Sequence, residues 1–160
     1  MRRFIVWATV TVAALIALPA DGGAQILDAH VLSLAGAMSM ADEAAAEAEA
    51  NDWEVVIAIV DAAGDLLLLR RMDGAQVGSV DVAIDKASTA ARFRRETKAL
   101  ADAIAGGAMP LLSIDGIISL EGGIPILHEG VVIGGIGVSG VQSFEDAQIA
   151  RAGLAVLGGR

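Results

Sequence analysis

The segment from Glu121 to Gly140, EGGIPILHEGVVIGGIGVSG, constrains the fold more than any other part of this sequence. Two apolar runs, Ile124–Leu127 and Val131–Val138, flank the turn sequence His128–Gly130, and this pattern predicts a β-hairpin. Glycine within a strand commonly marks a place where a ligand or another backbone approaches closely. The spacing of GGIG differs from the GxGxxG fingerprint of dinucleotide-binding folds. The sequence therefore predicts a hairpin whose strands pack very closely against a neighbour.

The first residues of the chain have the pattern of a secretory signal peptide. Arg2 and Arg3 provide a basic start, an apolar run extends from Phe4 to Ala20, and small residues follow. We expect residues 1–24 to be a signal peptide, with cleavage before Gln25 and a periplasmic or secreted mature protein. An uncleaved membrane anchor and a twin-arginine export signal are the alternatives.

Composition excludes several classes of function. The net charge of −9 becomes −10 when residues 1–24 are removed, because they contain two arginines and one aspartate. Such an acidic domain lacks the basic surface that nucleic-acid binding requires. There is no cysteine and no tyrosine, so thiolate nucleophiles, disulfides, cysteine-bound zinc and phenolate ligands are all excluded. Metal ligands must come from two histidines, carboxylates or methionines.

Hydrophobic periodicity predicts that residues 25–160 form a single α+β domain. Runs of β-branched residues joined by short turns indicate an antiparallel sheet of about five strands, packed with N-terminal, central and C-terminal helices. The predicted helices cover residues 27–50, 79–97, 99–104 and 144–157, and the predicted strands cover residues 55–60, 66–71, 114–120, 124–127 and 131–138. Ser143 is the expected N-cap of the last helix, with Glu145 and Asp146 in its first turn.

Three segments taken in order resemble the GlcG/HbpS-like family: VVIAIVDAAGDLLLLRRMDGA, SVDVAIDKASTAARF and EGGIPILHEGVVIGGIGVSG. The resemblance extends from about Leu27 to Leu157. It implies a profilin-like domain that forms homo-oligomers, commonly octamers. It also implies an exported protein that binds haem and sequesters it, helps to degrade it or stores its iron. A related domain accompanies cobalamin adenosyltransferases, so a corrinoid is an alternative tetrapyrrole, and whether catalysis occurs is left open.

His30 and Met72 are the candidate ligands to haem iron. Imidazole is a common axial ligand, so His30 is the residue expected to bind the metal. The alternative for His30 is an ordinary polar-face position early in the first helix. Met72 offers a thioether sulfur, although methionine often fills gaps in a core instead. His128 is expected to lie in an exposed turn with no ligand.

Basic residues of the central helix are candidates for binding the haem propionates. Lys86 and Arg92 are the expected partners, because ammonium and guanidinium groups both bind carboxylates. Arg71 and Arg95 are alternatives. Lys86 could instead lay its stem across the surface or pair with a nearby carboxylate, Asp81 or Asp85.

Glycines complete the expected haem site. Gly122, Gly123, Gly134, Gly135 and Gly137 could let a flat ligand lie against the backbone, or could let strands of two subunits meet. Small residues in the central helix, including Ala83 and Ala87, could likewise contact the sheet or a second subunit.

Two further functions remain open at the level of sequence. One is an enzyme acting on a small organic acid, in which Lys86 or Arg92 binds the carboxylate. Asp115, Glu121 or His128 would then act as the general acid or base. The other is a purely structural assembly in which glycines and alanines serve subunit contacts.

Overall fold

A computed structural model describes residues 29–159 of the chain. The predicted signal peptide, residues 1–24, lies outside the described residues. Within the described part, no helix combines the length and apolar character needed to cross a membrane. The elements are, in chain order, α1 (Leu34–Ala50), β1 (Val56–Asp61), β2 (Leu66–Arg71), α2 (Ser79–Phe93), α3 (Thr97–Ala105), a 3-10 helix (Met109–Ser113), β3 (Gly123–His128), β4 (Val131–Ser139), α4 (Ser143–Leu154) and a second 3-10 helix (Ala155–Gly159).

The strands form one antiparallel sheet in the order β2-β1-β4-β3. The two hairpins therefore lie side by side, with β1 and β4 paired in the centre. The burial of β1 fits its continuous run of apolar residues, since a strand covered on both faces needs no polar alternation. The α+β class predicted from the sequence is confirmed.

The predicted strand over residues 114–120 is wrong, and the described sheet has four strands rather than about five. This segment follows an irregular path in which Gly116 adopts a left-handed φ of 75°. It is held by a side chain of α2 instead of by strand pairing. The Thr89 hydroxyl donates to the Gly116 carbonyl at 3.3 Å and accepts from the Ile118 N–H at 3.0 Å.

The first helix begins later than predicted. Ser33 is its N-cap, and the Ser33 Oγ accepts a hydrogen bond from the N–H of Gly36 at 3.1 Å. Residues 29–33 are not helical, so the placement of His30 within this helix is wrong. The preference of serine for capping positions outweighs the apolar pattern that precedes it.

The central helix is also shorter than predicted, because it stops at Phe93 instead of continuing to residue 97. Arg94 takes a left-handed conformation with φ of 53°, and its N–H donates to the Ala90 carbonyl. A left-handed residue with this bond is a common way for a helix to end. A separate helix, α3, then begins at Thr97 and contains the predicted helical segment 99–104.

Each face of the sheet has its own apolar core. On one face, α1 and α4 pack on alternate residues of β1, β3 and β4, including Ile57, Ile59 and Ile136. On the other face, alanines of α2 pack on Val56 and Val60 of β1. The sheet is therefore a central layer between helices.

The glycines of β4 allow α2 to lie directly on the sheet. A Cβ atom on Gly135 would collide with the carbonyl oxygen of Ala87, and one on Gly137 would collide with that of Ala83. The close neighbour predicted for the hairpin is thus a helix of the same chain. For these two glycines, the contact made within the chain replaces the expected ligand or second subunit.

We predict that Gly137→Ala destabilises the fold by at least about 2 kcal/mol, because an added methyl group must push the α2 backbone off the sheet. Gly78→Ala is the matched control, since Gly78 has φ of −65° and open space around its Cβ position. Urea unfolding of both variants measures the difference. Equal stability of Gly137→Ala and wild type would contradict the close contact.

Candidate functional site

The two histidines of the chain meet at one end of the sheet. His30 comes from the segment before α1, and His128 is the last residue of β3. Their ring centroids are 4.8 Å apart in an edge-to-face arrangement. Both residues are exposed. The fold therefore places together two imidazoles that are almost one hundred residues apart in the sequence.

The carboxylate of Glu129 lies close to both imidazoles. Glu129 and Gly130 form the two-residue turn between β3 and β4, with φ values of 50° and 79°. Two successive left-handed residues are typical of the hairpin turn that matches strand twist. Glu129 Oε2 lies 3.9 Å from His30 Nε2, and one potential ligand atom from each of the three residues lies within 4.8 Å of the others. We call His30, His128 and Glu129 the histidine cluster.

A cleft adjoins this cluster. His128 and Glu129 line it, and its volume of about 520 Å³ lies in the range of small-molecule and cofactor sites. Its other walls are mainly apolar and come from the segment before α1, from α1 itself and from the C-terminal 3-10 helix. They are Leu32, Gly36, Ser39, Met40, Val156 and Leu157. The arrangement offers nitrogen and oxygen donors beside an apolar surface.

Lys86 is buried, with 1% of its surface exposed. Its Nζ donates to Asp146 Oδ2 at 2.7 Å and to the Val138 carbonyl at 2.9 Å. Both alternatives for Lys86, a stem laid across the surface and a pair with Asp81 or Asp85, are wrong. The ion pair links α2 to α4 past the end of β4.

The environment of Asp146 opposes its ionisation. Burial raises the pKa of the Asp146 carboxyl above its ordinary value, while the hydrogen bond and charge of Lys86 and the N–H groups of Val141 and Gly140 act to lower it. Sequence reasoning placed Asp146 only in the first turn of a helix. Its partner is sixty residues away, and no local pattern in the sequence signals such a pair.

Arg92 binds the turn between β1 and β2. Its Nε donates to the Ala63 carbonyl at 2.7 Å, and its guanidinium lies against Gly64, where φ is 87°. Because Arg92 belongs to α2, it lies on the opposite face of the sheet from α1. The alternative arginines also contact backbone carbonyls, Arg71 that of Ala75 and Arg95 that of Phe93.

The remaining candidates are packed within the chain. Met72 is partly buried and contacts the core on the α1 face. A Cβ on Gly122 would come within 2.8 Å of Lys86 Nζ, and one on Gly123 would collide with the Lys86 carbonyl. Ligand roles for Met72, Gly122 and Gly123 stay predictions.

The residues predicted for acid and base catalysis are dispersed. Asp115 lies in the turn after the first 3-10 helix. Glu121 lies two residues before β3 and His128 is its last residue, so the whole strand, at about 3.3 Å per residue, separates them. Glu121 and His128 therefore do not meet at one site.

Comparison with known proteins shows to which family this chain belongs. The sequence model of a family described as "Haem degrading protein HbpS-like" matches residues 32–155. The chain belongs to the HbpS-like family. The family suspected from the three sequence segments is thereby confirmed.

Several members resemble this HbpS-like chain in sequence or structure. Protein GlcG of Escherichia coli K12 is 41% identical over 93 residues, which cover 58% of this chain and 69% of GlcG. A double mutant of Streptomyces reticuli HbpS has a TM-score of 0.79 and 38% identity, covering 94% of this chain and 99% of its own. PduOC, solved as a complex with heme, has a TM-score of 0.72 and 30% identity, covering 79% of this chain and 94% of its own.

We predict that Lys86→Met destabilises this HbpS-like domain by about 3–5 kcal/mol, because Asp146 would keep a buried carboxylate without its charged partner. Lys86→Met combined with Asp146→Leu should recover much of the loss. Lys98→Met is the control, since Lys98 pairs with Asp102 in solvent and should matter little. Thermal and denaturant unfolding measure all three. A double variant less stable than Lys86→Met would contradict the pairing.

Proposed function

We propose that this protein binds haem in the cleft beside the histidine cluster, with His30 as the ligand to iron. The observation that carries the proposal is the exposed imidazole of His30, placed with His128 and Glu129 next to an apolar cleft. Membership of a family described as haem-degrading and the likeness to PduOC, crystallised with heme, support the choice of ligand.

The cleft suits a flat apolar ring. Leu32 and Met40 are buried at its base, and Leu157, which is 39% exposed, provides apolar surface that a macrocycle can cover. Removing such surface from water is the main driving force for binding an apolar ligand. Histidine is the usual proximal ligand of haem iron in globins and peroxidases.

The two imidazoles would have different roles. Their edge-to-face contact leaves no room for a porphyrin between the rings, so His30 and His128 do not ligate one iron from opposite sides in this arrangement. We assign iron to His30 and a flanking position to His128.

The proposal does not use the predicted propionate partners. The Lys86 ammonium is bound to Asp146, and Arg92 Nε is bound to the Ala63 carbonyl. Opening the first of these contacts would leave a buried carboxylate unpaired, which is costly. Haem binding is the step that sequestration, degradation and iron storage would all share.

Hemin titration of untagged protein tests the proposal. We expect a Soret shift with the wild type. His30→Ala should bind at least about tenfold more weakly, because the imidazole that coordinates the iron is lost. His128→Ala should keep most of the affinity and change the spectrum slightly. Met72→Leu is the control, since Met72 contacts the core.

Two results would contradict this assignment. If the wild type gives no Soret shift, the protein does not bind haem. If His30→Ala gives the same spectrum and affinity as the wild type, another residue holds the iron.

We further propose that the mature protein is exported and forms a homo-oligomer. The basic and apolar leader supports export. Strand β2 lies at an edge of the sheet, and its Leu66 and Leu69 are 47% and 38% exposed. An unpaired apolar edge strand is prone to associate with another chain.

Expression of the full sequence followed by cell fractionation tests both points. We expect a periplasmic or secreted protein whose measured mass corresponds to a chain that begins at Gln25. Native mass spectrometry should show an assembly of more than one copy. Retention of residues 1–24 in a membrane fraction would contradict cleavage. A monomer at micromolar concentration would contradict the assembly.

A further inference from the structure

We propose that the histidine cluster is also a binding site for a bare divalent transition-metal ion, independent of haem. His30, His128 and Glu129 supply two imidazoles and one carboxylate from two separate parts of the chain. Their potential ligand atoms already lie within 4.8 Å of one another. The inference does not rest on haem binding, because none of its steps involves a porphyrin.

The distances fit a site that closes on its metal. Zinc binds histidine nitrogen and carboxylate oxygen at about 2.0–2.2 Å, so donors around a tetrahedral zinc ion are about 3.4 Å apart. His30 Nε2 and Glu129 Oε2 are 3.9 Å apart, and the side chains are 58% and 75% exposed. Exposed side chains of this kind can rotate until their donor atoms reach the spacing that a metal requires, without disturbing a packed core.

The donor set indicates the class of metal. Two histidines and one carboxylate are the ligands of catalytic zinc sites and of non-haem iron sites that keep open positions for water or substrate. Calcium and magnesium prefer sites made mostly of oxygen atoms, and a single carboxylate offers too few of them. The site should therefore prefer Zn²⁺ or Fe²⁺ over Mg²⁺ and Ca²⁺.

The local backbone supports the assignment of Glu129. The residue has φ of 50°, a conformation for which turns of this type usually select asparagine, aspartate or glycine. Glutamate is not the choice that the turn itself would favour. At this position its carboxylate approaches His30, which gives the residue type a role beyond the turn.

Isothermal titration of untagged wild-type protein with ZnCl₂, in the absence of haem, tests the site. We expect one zinc ion per chain and no heat from MgCl₂. His30→Ala, His128→Ala and Glu129→Gln should each weaken zinc binding by about tenfold or more, at least the loss seen when even an outer partner of a metal ligand is removed. Zinc should also raise the unfolding temperature, because it joins the segment before α1 to the β3–β4 turn only in the folded state.

Glu43→Gln is the matched control. It removes an exposed carboxylate that lies on α1, outside the histidine cluster, and should leave zinc binding unchanged. Zinc titration without hemin and hemin titration without zinc test the two proposals separately, so either one can fail while the other holds. The metal site would be overturned by zinc affinity equal in wild type and all three cluster variants, or by no zinc binding to the wild type. Equal loss in Glu43→Gln would also overturn it.

Discussion

The close contact between α2 and the glycines of β4 is the constraint on which the rest of the structure depends. Carbonyl groups of Ala83 and Ala87 occupy the space that side chains of Gly137 and Gly135 would fill. Because the helix lies so low on the sheet, the Lys86 side chain reaches past the end of β4 to Asp146 of α4. Helices on opposite faces are thereby joined by one buried ion pair. Small residues in two elements thus determine where a charged pair can form.

Local patterns predicted the elements whose residues interact with their sequence neighbours. The β1–β2 and β3–β4 hairpins followed from apolar runs and turn residues. The last helix followed from the acidic residues of its first turn, although its N-cap is Gln142 and the prediction of Ser143 for that position is wrong. Residues 114–120 were predicted as a strand because they are apolar, yet Thr89 holds this segment in an irregular path. The decisive partner is a side chain from another element, and hydrophobic periodicity does not report such a contact.

Sequence patterns likewise predicted only part of the candidate site. His30 was selected because imidazole ligates iron, and the structure places it with His128 and Glu129. His128 was interpreted as an exposed turn residue. It is exposed, but it belongs to β3, and the interpretation did not include the approach of His30 from outside the hairpin. The meeting depends on Ser33 ending the extended segment before α1 and on the left-handed turn at Glu129, so it requires three-dimensional information.

The β3–β4 turn extends beyond the end of the neighbouring strand β1. Strand β4 pairs with β1 only from Gly134 onward, so residues 131–133 and the turn before them protrude past the end of β1. The donor atoms on this projection can change without altering the packing of either apolar layer. Substitutions at this tip can therefore change the chemical groups that it presents while the four strands and their helices stay as they are.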